Sequence, residues 1–507
     1  MRLRIGLLLG LSIALVSTAH GSATGSEFRR TSSGTLPDQD FGLAVLWDRE
    51  LGSGYSSISI AEGKAVTMFT TEGVDVVAAF DPETGDEIWR FELGEMYKGH
   101  DGSDDGPLST PAIAGDRVFV LGPRGILVAL ALDDGSEIWR RELDESNSTP
   151  PFYGYSTSPV TSADLVILAT GGDGHAVTAF DRTTGETRWS AGDDSVTYQT
   201  PLIFDLGGRP TLVLVTDHLL QGFDPQTGER RFEFRHTEGE QTEETSHVVP
   251  VDNQSFVVNY QSGSRKYRLT DNGLEEVWQS RAFGNTLAIP VLYEGHLYGF
   301  TGRFMTCADA ATGEIVWRSR PPMGRGISLV DDKLAVLAGN GDLVLVEPSP
   351  EGYAELTRTP VFEREDYAIA TFFDDVFFLR NLEHIAAVGI DTARAPQLAT
   401  IDPKEFLLGE MGQWAMSVAD MPEDQRQAAV DSRFAGIETS PVFEDSGLAH
   451  FFWRGEAKDV GLEGNEVAPA ADNGLYNLPG TDLFLRSAEL DPKAQYTYAL
   501  TVDFEQP

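Results

Sequence analysis

One pattern limits what this chain can fold into. Ala79-Phe80-Asp81-Pro82-Glu83-Thr84-Gly85-Asp86-Glu87-Ile88-Trp89 returns as Ala179 to Trp189 and again, one residue shorter, as Ala308 to Trp317. Weaker copies run from Leu132 to Trp139 and from Gly222 to Phe232, and a degenerate one ends at Trp278. The closing positions, Trp47, Trp89, Trp139, Trp189, Phe232, Trp278, Trp317 and a worn Leu356, fall about 45 residues apart. Repeats of that length are supersecondary units that bury their apolar faces only against neighbouring copies, so the pattern implies a stacked or radial architecture.

Within a copy, an alternating apolar stretch meets Asp-x-x-Thr-Gly, where glycine supplies the left-handed backbone of a reversal, and a Trp-bearing strand follows. Upstream of it lies a second hairpin, seen at Pro111–Leu121, Val160–Leu168 and Pro290–Phe300. Four strands per repeat with no helical periodicity between them is the composition of a propeller blade. The register gives eight blades. Trp47 lacks preceding strands of its own, while Phe372–Leu379 and Ile385–Val388 lack a following Trp strand. Joining them closes the ring and removes the open sheet edges that invite aggregation. The expected fold class is therefore all-β: an eight-bladed propeller over residues 36–391, closed by its N-terminal strand.

In these residues the chain resembles the quinoprotein-like, PQQ-repeat propellers, a family that includes quinoprotein alcohol dehydrogenases and the outer-membrane assembly protein BamB. The resemblance implies that Trp47, Trp89, Trp139, Trp189, Trp278 and Trp317 dock one blade on the next, with Gly85, Gly185, Gly228 and Gly313 at the repeat turns. For the dehydrogenases it further implies pyrroloquinoline quinone (PQQ) held on the channel axis by an adjacent-cysteine disulfide, an aromatic platform and calcium or a lanthanide. Cys307 is the only cysteine, so that disulfide, a thiol metal cluster and covalent haem are excluded. It lies in an alternating run, Phe304 to Ala308, and reads as a small buried apolar residue.

Arg2 and Arg4 precede an apolar run from Ile5 to Val16 and small residues through Ala23, the three regions of a signal peptide over residues 1–23. The run is shorter than the ~20 residues a spanning helix needs. A periplasmic or secreted protein, not integral to the membrane, is expected. The acidic residues number 79 against 38 basic, a formal charge of −41. Nucleic acid and anionic lipid are repelled by such a surface, and the charge suits solubility in a salty medium.

Other catalytic signatures are missing: no Gly-x-Ser-x-Gly, no His-Glu-x-x-His, no P-loop and no dinucleotide fingerprint. The most polar stretch, His100 to Gly106, offers Asp101, Asp104 and Asp105 as oxygen ligands for calcium, without the ordered spacing of an EF-hand. A second polar group, Asp193-Asp194-Ser195, reads as a turn.

Beyond Asp391 the pattern changes. Residues 392–437 read as a helical linker. Strand patterns return at Gly447–Trp453, Asp459–Leu462, Leu483–Glu489 and Tyr496–Asp503. This part, 438–507, resembles the immunoglobulin-like module preceding enterochelin-esterase-type hydrolases and related to glycogen-binding modules. Those relatives continue with Phe-Asn-Gly-Trp where Asn465-Glu466-Val467-Ala468 stands here, so the sugar-stacking Trp is absent. The β-sandwich is either a terminal accessory or the point at which a longer protein was cut.

These readings order three functions. First is a non-catalytic extracytoplasmic scaffold that binds a protein partner, as BamB does, with no cofactor. Second is a PQQ- and calcium-dependent dehydrogenase oxidising an alcohol or sugar. Third is a carbohydrate-surface binder acting through the C-terminal module.

Overall fold

The computed structural model describes residues 34–504 apart from 38, 101–102, 144–150, 152, 197, 238–246, 287, 364–368, 400–401, 438, 446, 465–472 and 492–494. The signal-peptide segment, Asp101 and the Asn465–Ala468 stretch lie outside the described residues. No helix among those described is long and apolar enough to cross a membrane.

Nine four-stranded antiparallel sheets are present among the described residues, eight of them the blades of a ring, and in seven of these blades the strands follow chain order. Blades 1 to 7 span residues 59–95, 112–142, 160–191, 202–235, 247–280, 291–319 and 324–360. Blade 8 takes Thr371–Phe373, Val376–Arg380 and His384–Asp391 from the end of the ring and Gly42–Glu50 from its beginning. Val45 faces Val388 and Trp47 faces Ala387 across a bulge. The middle strands are apolar without alternation because both their faces meet neighbouring blades: Val118, Phe119, Val120 and Leu121 are all fully buried. Outer strands alternate instead; in Glu87–Glu95 only Trp89 and Leu93 are buried.

The seam between blades 8 and 1 carries a buried cation. The Arg380 guanidinium reaches out of blade 8 and donates to the carbonyls of Met68 (2.6 Å) and Gly54 (2.8 Å) and to Thr67 Oγ1 (3.1 Å).

The C-terminal unit is layered. Val442–Phe443, Leu448–Arg454, Leu483–Glu489 and Tyr476–Asn477 form one sheet, and Val460–Gly464 pairs with Tyr498–Val502 in a second. Strand alternation sends Phe452, Leu483 and Leu485 to one face of the first sheet and Ala449, Phe451 and Phe484 to the other. The helices Pro403–Phe406, Gly409–Ala419 and Glu423–Arg433 do more than link. Phe406, Met411, Ala415, Val418, Val430 and Phe434 cover the first face and build one core with it, while the two-stranded sheet covers the second.

Candidate functional site

The repeat motif is consumed in blade-to-blade joints. Asp81 Oδ1 accepts from the backbone of Glu83 (2.8 Å) and Thr84 (3.1 Å), and Asp181, Asp224 and Asp309 make the same pair of bonds. Gly85 closes the turn at φ +73°. On it rests the indole of Trp47 from the preceding blade: a Cβ on Gly85 would stand 2.7 Å from Trp47 Cε3. The geometry repeats for Trp89 on Gly135, Trp139 on Gly185, Trp189 on Gly228 and Trp278 on Gly313. Indole Nε1 donates to a turn carbonyl of the next blade: Trp47 to Pro82 (3.0 Å), Trp89 to Leu132 (2.9 Å), Trp139 to Arg182 (3.1 Å) and Trp317 to Ser349 (2.9 Å). Trp189 Nε1 is buried without a hydrogen-bond partner. The glycine therefore serves two ends, a positive φ and room for a neighbour's ring, of which only the first was readable from the chain.

Toward the axis a belt of hydroxyls ties the same blades. Ser57 N donates to Thr110 Oγ1, Thr110 N to Ser158 Oγ and Ser158 N to Thr200 Oγ1, each at 3.0 Å, and Thr371 Oγ1 donates to the Ile58 carbonyl (2.7 Å). The signal for it was a hydroxyl followed by proline before the first strand, as in Thr110-Pro111, Ser158-Pro159 and Thr200-Pro201.

Because each blade is antiparallel, the Asp-x-x-Thr-Gly turns share one end of the ring, and the blade-to-blade connections share the other with the turns between second and third strands. The connection end is where residues outside the repeat gather. From blade 8 through blade 4 each connection brings a tyrosine: Tyr55, Tyr97, Tyr153 with Tyr155, and Tyr198. Tyr155 is buried and the others are half-buried. They stitch consecutive connections together. The Tyr55 hydroxyl accepts from Asp104 N (2.8 Å); Tyr97 lies against Gly154 and under Arg124 (5.5 Å); the Tyr198 hydroxyl accepts from Tyr153 N (3.3 Å). Arg124 in turn donates to the carbonyls of Glu95 (2.6 Å) and Met96 (3.1 Å).

Acids sit among these rings. Asp105 accepts from Lys98 Nζ and Gly99 N, both at 2.9 Å, and the Lys98 hydrogen bond leads in holding its carboxyl below the usual range. Asp104 receives the Tyr55 hydroxyl at 3.4 Å. Asp75 is 2 % exposed, with Oδ2 accepting from Tyr97 N (3.0 Å) and Oδ1 unmatched, and burial pushes its pKa up to about 6. Asp194, at φ +95°, does more than turn the chain. Its carboxylate takes His218 Nδ1 (3.0 Å), His218 N (2.7 Å) and Thr216 Oγ1 (2.8 Å), tying the connection after blade 3 to a turn of blade 4. Burial opposes its ionisation, but the bonds from His218 and Thr216 outweigh that and hold its pKa low. Asp217 beside it is pushed up to about 6 by burial and by Asp194.

Among the described residues no three His, Cys, Asp or Glu side chains are placed to share a metal ion. Cys307 is fully buried, its thiol pushed up to about 12 by burial. Tyr298 pairs with it across the sheet.

Joints that set an indole on a turn glycine, within eight four-stranded blades closed by the first strand, give the chain the fold of the PQQ-like β-propellers. A family model described as outer membrane protein assembly factor BamB matches residues 73–319. BamB of Burkholderia pseudomallei is 31% identical over 147 residues, 29% of this chain and 32% of that protein. BamB of Yersinia pestis is 30% identical over 148 residues, 28% of this chain and 37% of that protein. These alignments span about a third of the relatives' length. Among solved structures, BamB from Moraxella catarrhalis superposes with a TM-score of 0.51 at 15% identity, covering 68% of this chain and 97% of that one. Quinohemoprotein alcohol dehydrogenase from Comamonas testosteroni gives 0.52 at 12% identity, covering 75% and 81%. At such identities the likeness is one of fold.

Proposed function

We propose that the protein is a non-catalytic scaffold outside the cytoplasm that holds a protein partner on the connection end of blades 1 to 4, in the manner of BamB and without a quinone or calcium. One observation carries this: the repeat side chains are spent on joints at one end, while the other end carries a strip of half-buried tyrosines rimmed by acids. Tyrosine gives large contact area at low entropic cost and is enriched in protein interfaces. The likeness to BamB supports the class of partner, and a fold alone hosts many functions.

A photo-crosslinking residue at Tyr97 or Tyr198 should trap one defined protein species from the exported fraction, and the same residue at Gly63, on the opposite end, should trap none. Trapping should be lost when Arg124 is replaced by alanine. Equal trapping from both ends contradicts the proposal. So does dye reduction by purified protein given PQQ and calcium with alcohols or aldose sugars, or a glycan pull-down that disappears when residues 440–507 are removed.

A further inference from the structure

Of the four joints from blade 4 round to blade 8, all but the one that sets Trp278 on Gly313 differ from the rest of the ring. Phe232 replaces the indole between blades 4 and 5 and packs with Leu269 and Leu274. Trp317 meets the Ser349 carbonyl, and Gly352 in that turn has open space around it. Between blades 7 and 8 the register gives the indole's position, across from Leu345, to the buried Thr357 and not to Leu356, which sits partly buried beside it on the bulge. The chain that leaves the ring crosses this last joint. Arg394 Nη1 donates to the Leu43 carbonyl on the outer strand of blade 8 (2.8 Å). Three residues on, the Gln397 carbonyl accepts from Arg358 N (2.7 Å), and Ala399 N donates to Glu355 Oε1 (2.8 Å), both on the outer strand of blade 7.

The same chain returns to grip blade 6. Arg320, at the end of that blade and 6 % exposed, makes a two-pronged bond to Asp459 (Nε–Oδ2 2.9 Å, Nη2–Oδ1 2.6 Å) and another to Asn473. Its guanidinium lies over both Phe304 of blade 6 (4.8 Å) and Phe504 of the C-terminal unit (5.6 Å), whose rings meet edge to face at 5.1 Å. Gly461 and Gly474 leave room for it; a Cβ on Gly474 would stand 3.1 Å from Arg320 Cδ, and one on Gly461 would strike the guanidinium. A surface ion pair between loosely tethered units would be exposed and of little worth. Here the charge is withdrawn from water, which is tolerable only with the partners held in place.

We infer that the C-terminal chain is a built-in clamp: residues 394–399 and the Arg320–Asp459 lock together span blades 6, 7 and 8 and make up for the two worn joints between them. The module is then part of the ring's closure and no passenger on it.

Amide hydrogen exchange on the full chain tests this, because local opening is read strand by strand. With Arg320→Met, exchange in 354–360, 371–373 and 376–380 should quicken at least tenfold, while 118–121 and 165–169 in blades 2 and 3 keep their rates. Acceleration confined to 403–504, with blades 7 and 8 unchanged, overturns the inference. Arg394→Ala cuts only the strap and leaves the buried lock intact, so it reads the same question if the first variant does not fold. It should quicken exchange in 42–50 and 354–360, and unchanged rates there count against the clamp.

Discussion

From blade 8 through blade 4 every joint is made the same way, with an indole on a turn glycine at the rim and a hydroxyl bond near the axis. From blade 4 back to blade 8 only Trp278 on Gly313 keeps the rim joint intact; the rest use aromatic packing, a carbonyl alone or a threonine with a leucine beside it. The regular arc is held by contacts between residues one repeat apart. The worn arc is held in part by contacts that reach far along the chain, such as Arg320 to Asp459. A ring needs every joint closed, but nothing requires that each be closed by the repeat itself.

The contrast can be broken most severely at the rim. Trp139→Ala empties a buried site that Phe119 and Phe180 share and should cost about 3–5 kcal/mol in equilibrium unfolding. Leu356→Ala, in the worn arc, should cost less than about 2 kcal/mol; equal costs would deny the distinction.

A pH series sharpens the comparison at the connection end. Asp75 is held up to about 6 in the fold against 3.8 when free, so the folded state binds its proton more tightly. Stability from this group is present at low pH and is lost as pH rises from about 4 through 6, by up to about 3 kcal/mol. Asp75→Asn should flatten that fall and make the protein more stable at pH 8; a slope unchanged by the substitution would mean the carboxyl ionises freely.

The smallest expected effect is in the belt. Thr110→Val leaves the Ser57 N–H without its acceptor and should cost about 1–2 kcal/mol by denaturant titration. A negligible change would show that water takes the hydroxyl's place.

How much was legible follows the same division. Trp47 pairing into blade 8, the four-stranded units and the terminal strands around Phe451 and Leu485 follow local periodicity and could be read off the chain. The tyrosine strip could not, since Tyr55, Tyr97, Tyr153 and Tyr198 stand at irregular distances from the repeat and share only their place on one end of the ring. Arg320 gave no signal at all, because its meaning comes from a carboxylate 139 residues away. Asp104 and Asp105 stand out in the chain only as part of an acidic run, which does not reveal that the fold gives them Tyr55 and Lys98 as partners. Composition reveals charge, whereas the assignment of partners needs the third dimension.

The central claim, that repeat glycines exist to seat the neighbouring indole, is tested most directly by a double-mutant cycle between Trp139 and Gly185. Gly63 and Gly185 share nearly the same backbone, φ +68° and +71°, but only Gly185 has an indole against it. Gly63→Ala should therefore cost about 1–2 kcal/mol for its backbone alone, and Gly185→Ala should cost more by about 1–3 kcal/mol for the clash. That excess should vanish in the Trp139→Ala background. If Gly185→Ala costs the same with and without Trp139, the indole does not rest on the glycine and the account of the joints fails.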